Sequence, residues 1–306
     1  MNSTKKIAIF LATYNGAKYL NEQIDSLISQ KDVLIDIFVR DDHSNDDTNL
    51  ILANYKLQLQ NFIILQTLDE QLGPCRNFFS ILKEVDLNKY DFISYCDQDD
   101  KWLVDKIKQA VDKIEFEGVN CYASDLTLWD GIKVTGKLHK STQQTKYDFM
   151  FESASAGCTL VLDRNSALYL QSSILNCFEK LPFNSSHDWY TYAATRIGGF
   201  KWHIDNRSFI LYRQHDSNQH GANIGVKGIK KLLNFFSSGW YRENILRISD
   251  LFYDDLNKPS FINELIRYDS LSVYSRIKLA LKVVGYRRKA FHRASLFILI
   301  VLKIIK

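Results

Sequence analysis

Three carboxylates fall within four residues in "YCDQDDKW", where Asp97, Asp99 and Asp100 directly follow an apolar run. Such a cluster repels itself unless water or a cation lies among its oxygens. Two uses are open. Asp99 or Asp100 caps a helix starting near Lys101, or the oxygens hold Mg²⁺ or Mn²⁺, which take few protein carboxylates and leave positions for substrate phosphates. In "VRDDHSNDDT", Asp41 and Asp42 sit at a strand end, where a carboxylate can accept from a nucleobase N–H or a ribose hydroxyl. Asp46 and Asp47 read as charges complementing a helix N-terminus capped by Ser44 or Asn45. "SSHDWYTY" puts His187 and Asp188 at a helix start, where capping is the plain use of Asp188. "LYRQHDSN" puts Arg213 and His215 just past a strand, where a lone His is structural or a ligand.

These residues need elements to bring them together. Residues 7–12 form a short apolar run fitting a buried strand, followed by a turn at Tyr14-Asn15-Gly16. Leu20, Ile24, Leu27 and Ile28 then recur at helical spacing over 17–30. The alternation repeats: strand 34–40 and helix 46–59, strand 62–66 and helix 76–86, strand 91–96 and helix 101–116. Four such units predict an α/β fold with a mainly parallel central sheet flanked by helices. Ligands of such sheets bind beyond the strands' carboxyl ends, where the strand order reverses, and Thr13 to Asn15, Asp41 to Asp47 and Asp97 to Asp100 each follow a strand. Beyond 118 the sequence predicts strands over 119–135 and 156–162, helices over 164–174 and 187–198, and a strand pair over 200–213. From about 227 it reads as helical. A boundary near 225 divides a 1–225 domain from a 226–306 helical extension.

At 306 residues, with 46% apolar residues and three prolines, the chain is that of a folded protein with a large core. Residues 276–306 hold nine Lys or Arg and no acid, so subtracting them from the net charge of +4 leaves −5 for the body. That distribution argues against a nucleic-acid groove in the main domain and for an anionic surface met by the tail. Five scattered cysteines, without a C-x-x-C pair, suggest neither zinc nor disulfides and point to a reducing cytoplasm. The N-terminal apolar run has no small-residue cleavage site and fits a strand better than a signal peptide.

In order, "ATYNGAKYLNEQIDSLISQ", "VRDDHSNDDT", "QLGPCRNFFSIL", "YCDQDDKW", "ASAGCTLVLDR", "HDWYTYAATRIGG" and "LYRQHDSN" resemble the family-two inverting glycosyltransferases on the nucleotide-sugar-binding GT-A fold. "DQDDKW", "HDWY" and "YRQH" are similar to the rhamnosyltransferase-like subgroup that builds O-antigens, capsules and rhamnans. The resemblance implies Thr13, Tyr14 and Asn15 at the nucleotide, Asp42 on the base with Asp41 beside it, and Arg76 as a nucleotide or phosphate contact. It implies Asp97 and Asp99 as the DxD pair, with Asp99 the direct ligand of Mn²⁺ or Mg²⁺. Asp188 matches the catalytic base, and His215 a metal or diphosphate ligand with Arg213 next to it. Two positions depart from the pattern: Ala12 replaces a common proline, and His187 replaces an acidic residue.

The expected activity is metal-dependent, inverting transfer of a sugar, rhamnose among the candidates, from a dTDP- or UDP-linked donor. The acceptor is a growing cell-surface polysaccharide or a lipid-linked oligosaccharide. A nucleotidyltransferase on a related fold needs a glycine- and lysine-rich phosphate loop that "ATYNGAKYL" lacks. A catalytically inactive membrane-bound binding subunit is the remaining alternative. The apolar stretch 294–305 spans about 18 Å as a helix, against a hydrocarbon core of about 30 Å. The expectation is therefore a basic amphipathic tail over 276–306, peripheral on the inner face of the cell membrane. A helical cap packed on the main domain is the other reading.

Overall fold

The structure, a computed structural model, describes residues 4–215 and 236–305. β1 (Lys5–Thr13), α1 (Ala17–Ile28), β2 (Val33–Asp41), α2 (Thr48–Gln58), β3 (Phe62–Ile64), α3 (Gly73–Glu84) and β4 (Phe92–Cys96) follow one another in the expected alternation. Ile7 to Leu11 of β1 are completely buried, because helices cover both faces of the sheet. α1 turns Leu20, Ile24 and Leu27 into the core, the stripe its spacing predicts.

α4 (Lys106–Glu117) begins later than the expected helix at 101. Lys101–Trp102 is instead a two-residue strand, β5, antiparallel to β11 (Ile210–Arg213). Asp100 therefore caps no helix. Its side chain is drawn beneath the strand pair, where the Arg213 N–H donates to Oδ1 at 3.1 Å. The strand expected over 119–135 is broken at the buried Asp125 into β6 (Cys121–Ser124) and β7 (Leu126–Trp129), with β8 (Val134–Leu138) following. The strand expected over 156–162 is a single 3₁₀ turn, Gly157–Thr159, and then β9 (Val161–Asp163). α5 (Arg164–Cys177), α6 (His187–Ile197) and β10 (Trp202–Asp205) complete the body.

Seven strands form one sheet in the order β10-β6-β9-β4-β1-β2-β3, parallel except for β9. The chain steps outward from β1 to β2 and β3, then crosses back to β4 on the other side of β1. The crevice between β1 and β4 is thus a topological switch point. Register aligns the strand ends there, pairing Thr13 with Asp41 and Leu11 with Cys96. A second sheet, β5-β11-β7-β8, folds over the same rim and was not foreseen.

α7 (Trp240–Phe252), α8 (Phe261–Ile266), α9 (Val273–Val283) and α10 (Ala290–Val301) follow. The boundary expected near 225 lies outside the described residues. Ile248, Phe261, Leu279, Leu296 and Leu299 belong to one continuous apolar cluster with Phe78, Leu162 and Tyr192 of the body. The tail therefore packs as a cap, and part of its charge is used internally: Arg287 and Arg288 pair with Glu152, and Lys282 with Glu264. Phe291, Ile298 and Leu302 still face outward on one side of α10, as do Tyr274 and Leu281 on α9. Among the described residues no helix is long and apolar enough to cross a membrane.

Candidate active site

The β1–α1 and β2–α2 loops lock together at the rim. Thr13 Oγ1 donates to Asp41 Oδ1 at 2.8 Å, and the Asp41 carboxylate also accepts from the Ser44 N–H and hydroxyl. Asn15, in the left-handed region at φ 47°, accepts on Oδ1 from the Asn45 N–H and donates its own N–H to Ser44 Oγ. Asp46 accepts from Ala17 N–H and from Thr48, while Asp47 stands at the helix start without a side-chain cap bond. Both Asp42 oxygens accept buried backbone N–H groups, from Leu72 and Gly73 at 2.8 Å each. Asp42 thereby holds the entry to α3 against the sheet. The Tyr14 side chain remains exposed above this floor.

A residue without a sequence signal joins this floor to the acidic turn. Gln98 Oε1 accepts from the Tyr14 N–H at 2.8 Å, and its Nε2 donates to the Tyr14 carbonyl at 2.9 Å. The side chain of Gln98 reaches into the space a Cβ at Gly16 would fill.

The acidic turn draws in residues from across the chain. His215 Nε2 lies 2.8 Å from Asp99 Oδ2, a pairing across 116 positions. Arg213 is sandwiched between Tyr19 and Trp129, its guanidinium 4.5 and 4.2 Å from the ring centres. It donates from Nε to the Asp99 carbonyl at 2.7 Å and pairs with Glu22. Burial raises the Glu22 carboxyl, but Lys101 and Arg213 outweigh it and hold the group below its ordinary value. Arg213 thus fixes the turn from below through a charge that is already matched.

Asp97, Asp100 and the Cys158 thiol offer ligand atoms that all lie within 4.8 Å of one another. Burial first, then Asp99 and Asp188, push the Asp97 carboxyl up to about 7. Burial, then Asp99 and Asp97, hold Asp100 well above its ordinary value. Asp100 Oδ2 is buried without a hydrogen-bond partner, a cost of about 1–3 kcal/mol for such a group. Lys106 lies behind the turn, its ammonium donating to Ser94 Oγ at 2.8 Å and standing 3.5 Å from the Trp102 ring centre. Desolvation pulls Lys106 down to about 7. The two carboxylates of this group, with one acceptor orphaned, fit a hard divalent cation. The expected ligands Asp99 and His215 pair with each other beside it and are not part of the group. The thiol is the one soft donor and lay outside the sequence reading.

α6 supplies the remaining carboxylate. Asp188 lies in its first turn, accepting on Oδ1 from its neighbours, the Ser186 hydroxyl and the Trp189 N–H (2.7 Å). Asp188 is a principal electrostatic neighbour of Asp97. The preceding His187 ring lies against Phe78 and Tyr95, 4.1 and 5.2 Å between centroids. A Cβ at Gly157 would stand 1.9 Å from His187 Nε2. Gly157→Ala is therefore expected to displace the start of α6 and lower activity at least tenfold, about 1.4 kcal/mol of transition-state stabilisation, while the chain stays folded by circular dichroism. Unchanged turnover in that variant would show that the contact does not govern the site.

Arg76 is the expected residue that these contacts leave apart. It lies over Phe178 and pairs with Glu70 and Glu179 at 3.3 and 3.4 Å. Thr13 to Asn15, Asp41 with Asp42, and Asp97 with Asp99 lie at or just past the adjoining ends of β1, β2 and β4. Arg213 and His215 meet Asp99, and Asp188 acts electrostatically on Asp97. The site thus joins a closed loop floor, a cation-ready acidic turn and a carboxylate at a helix start.

A family model described as "Glycosyl transferase family 2" matches residues 8–191. The chain is 35% identical to the dTDP-rhamnosyl transferase RfbG of Shigella flexneri, over 96% of this chain and 100% of that protein. It is 25% identical to the UDP-Glc:alpha-D-GlcNAc-diphosphoundecaprenol beta-1,3-glucosyltransferase WfaP of Escherichia coli, over 68% of this chain and 77% of that one. Among solved structures, S. aureus TarS in complex with UDP superimposes with a TM-score of 0.56 at 16% identity, covering 98% of this chain and 90% of that chain.

Proposed function

The chain belongs to glycosyltransferase family 2 and has the GT-A fold, and from that premise we propose that it is an inverting, metal-dependent rhamnosyltransferase. The observation that carries this reading is the contact of His215 with Asp99 in the acidic turn that follows β4, beside the switch point, with Asp188 among the charges acting on Asp97. In this proposal Thr13, Tyr14, Asn15, Asp41 and Asp42 form the donor floor, with the exposed Tyr14 ring available to the base. Asp97, Asp99 and His215 hold Mn²⁺ or Mg²⁺. When bound, the cation offsets the charge that grows on the departing nucleoside diphosphate. Arg213 positions the turn. Asp188 takes the proton of the acceptor hydroxyl as its oxygen bonds to the anomeric carbon and the bond to the diphosphate breaks. In-line displacement by one nucleophile inverts the configuration.

The similarity to RfbG along nearly the whole chain supports dTDP-rhamnose as donor. The similarity to WfaP supports an acceptor carried on a lipid diphosphate. The test is a donor screen with purified protein and Mn²⁺, measuring hydrolysis of dTDP-rhamnose against UDP- and GDP-linked sugars. The expected result is turnover of dTDP-rhamnose above the rest, and inactivity toward every donor would overturn the proposal.

A lipid-linked acceptor suits a protein held at the inner membrane face. The outward side of α10, with Phe291, Ile298 and Leu302, beside Tyr274, Lys278 and Leu281 of α9, supports that placement. Phe291→Ser with Ile298→Ser is expected to lower partition onto anionic vesicles by at least about 100-fold, because each buried apolar side chain contributes about 1.5–3 kcal/mol. Equal partition of parent and variant would count against membrane association.

A further inference from the structure

β11 ends on Arg213, and the Gln214 N–H donates to the Trp129 carbonyl at 2.7 Å, so the extended pairing with β7 runs on past the strand end. Side chains alternate along an extended chain, which puts Arg213 and His215 on one side of it. What they meet there is the first turn of α1. Tyr19 donates its N–H to the Gly16 carbonyl at 3.0 Å, and its ring is half-buried. The ring centre lies 4.5 Å from the Arg213 guanidinium and 5.1 Å from the His215 ring centre, with 31° between the two ring planes. Both distances fall within the range of cation–π and ring–ring attraction. Glu22, three residues on and so on the same helix face, pairs with Arg213 and Lys101. α1 thus presents a ring and a carboxylate to the end of β11.

Both side chains that touch the ring also touch Asp99. Arg213 Nε donates to the Asp99 carbonyl at 2.7 Å, and His215 Nε2 lies 2.8 Å from Asp99 Oδ2. The two are unequally held. Arg213 has Trp129 on its other face and an ion pair to Glu22 besides, so it keeps its place without Tyr19. His215 has the Asp99 carboxylate on one side and the Tyr19 ring against its face. With the ring removed, the imidazole is tethered by one hydrogen bond among the described residues. A ring held at one point turns about that point, and the carboxylate it holds gains rotamers with it.

We propose that Tyr19 is a positioning residue for the cation site: its ring seats His215, and through His215 the Asp99 carboxylate, in the arrangement that a divalent cation meets. The proposal rests on the glycosyltransferase reading, with Asp99 and His215 at the cation, and deepens it. Ligands oriented beforehand lose less conformational freedom on binding, so loss of the ring is felt as loss of cation affinity. The contact also ties the cation site to α1, whose first turn directly follows the Thr13 to Asn15 loop.

The test is calorimetric titration of the full chain with Mn²⁺ in the absence of donor. Tyr19→Leu keeps apolar bulk without an aromatic face and is expected to bind Mn²⁺ about 10- to 100-fold more weakly, the range for a group that orients a metal ligand. Tyr19→Phe should match the parent, because none of these contacts uses the hydroxyl. Added to His215→Ala, the Tyr19→Leu change should cost less than it does alone, since the contact it removes is already gone. Circular dichroism of each variant checks that the fold is kept. Equal Mn²⁺ affinity in the parent and Tyr19→Leu overturns the proposal. So does a loss by the same factor with and without His215, or weak binding by Tyr19→Phe. A parent chain that binds no Mn²⁺ overturns the cation reading and this proposal with it. Mn²⁺ binding is measured without donor, so a failed donor screen would sink the activity and leave this result standing.

Discussion

Asp188→Asn is expected to lower turnover about 10²–10⁴-fold, the usual contribution of a general base, while donor affinity stays near that of the parent chain. The change keeps the shape of the side chain and its acceptor oxygen, to which the Ser186 hydroxyl and Trp189 N–H donate. It removes the ability to take a proton. The donor contacts proposed above lie in the interlocked β1–α1 and β2–α2 loops, so a base variant should bind the nucleotide sugar and stall. Isothermal titration with donor, paired with single-turnover transfer, separates the two. Loss of donor affinity in parallel with turnover would remove Asp188 from the role of base. Full activity would do the same and would favour a site whose chemistry lies elsewhere.

Removing the divalent cation with EDTA, or changing Asp99 to Ala, should abolish transfer, and His215→Ala should weaken cation affinity at least about 10-fold, since a direct ligand is worth no less than the outer groups that support one. Asp99 and His215 already touch at 2.8 Å, so the imidazole also orients the carboxylate. pH adds an independent reading. Burial, Asp99 and Asp188 raise the Asp97 carboxyl to about 7 in the cation-free chain. Below that pH a cation must displace a proton, so its affinity should fall by about tenfold per unit as pH drops, and level off above 7. Mn²⁺ titrations between pH 5.5 and 8 check the slope. A flat profile, or EDTA-resistant transfer, would take the cation out of the reaction.

The parts of the site legible beforehand were those at the ends of long buried strands. β1, β2 and β4 are apolar runs with polar residues immediately after them, and their register alone brings Thr13, Asp41 and Asp97 to one edge. The partnership of Asp99 with His215 came through motif resemblance, since no local pattern joins residues 116 positions apart. β5 was misread as part of a helix and β7 as part of a longer strand, because strands of two to four residues complete too few alternations to leave a period. β10 and β11 answer the strand pair expected over 200–213 but lie in different sheets. Asp100 reads as a cap by sequence, and only the β5–β11 pairing turns it inward. Gln98, Gly157 and Cys158 act through space: an amide, a missing side chain and a thiol have meaning only once a distant loop faces them. The basic tail was legible as charge. Which of its cations would be consumed by Asp148 and Glu152 depended on packing that no spacing encodes.

The two hydrogen bonds between Gln98 and the Tyr14 backbone have a thermodynamic corollary. They weld the turn proposed to offer ligands to a cation onto the loop proposed to border the nucleotide. Occupancy at either then stiffens the other, and linkage requires the enhancement to be reciprocal: whatever factor the cation adds to nucleotide affinity, the nucleotide adds to cation affinity. Gln98→Ala should shrink that shared factor while leaving each separate affinity closer to its own intrinsic value. In the proposed site, a clasp of this kind would make donor and metal a single cooperative load, taken up together and released together.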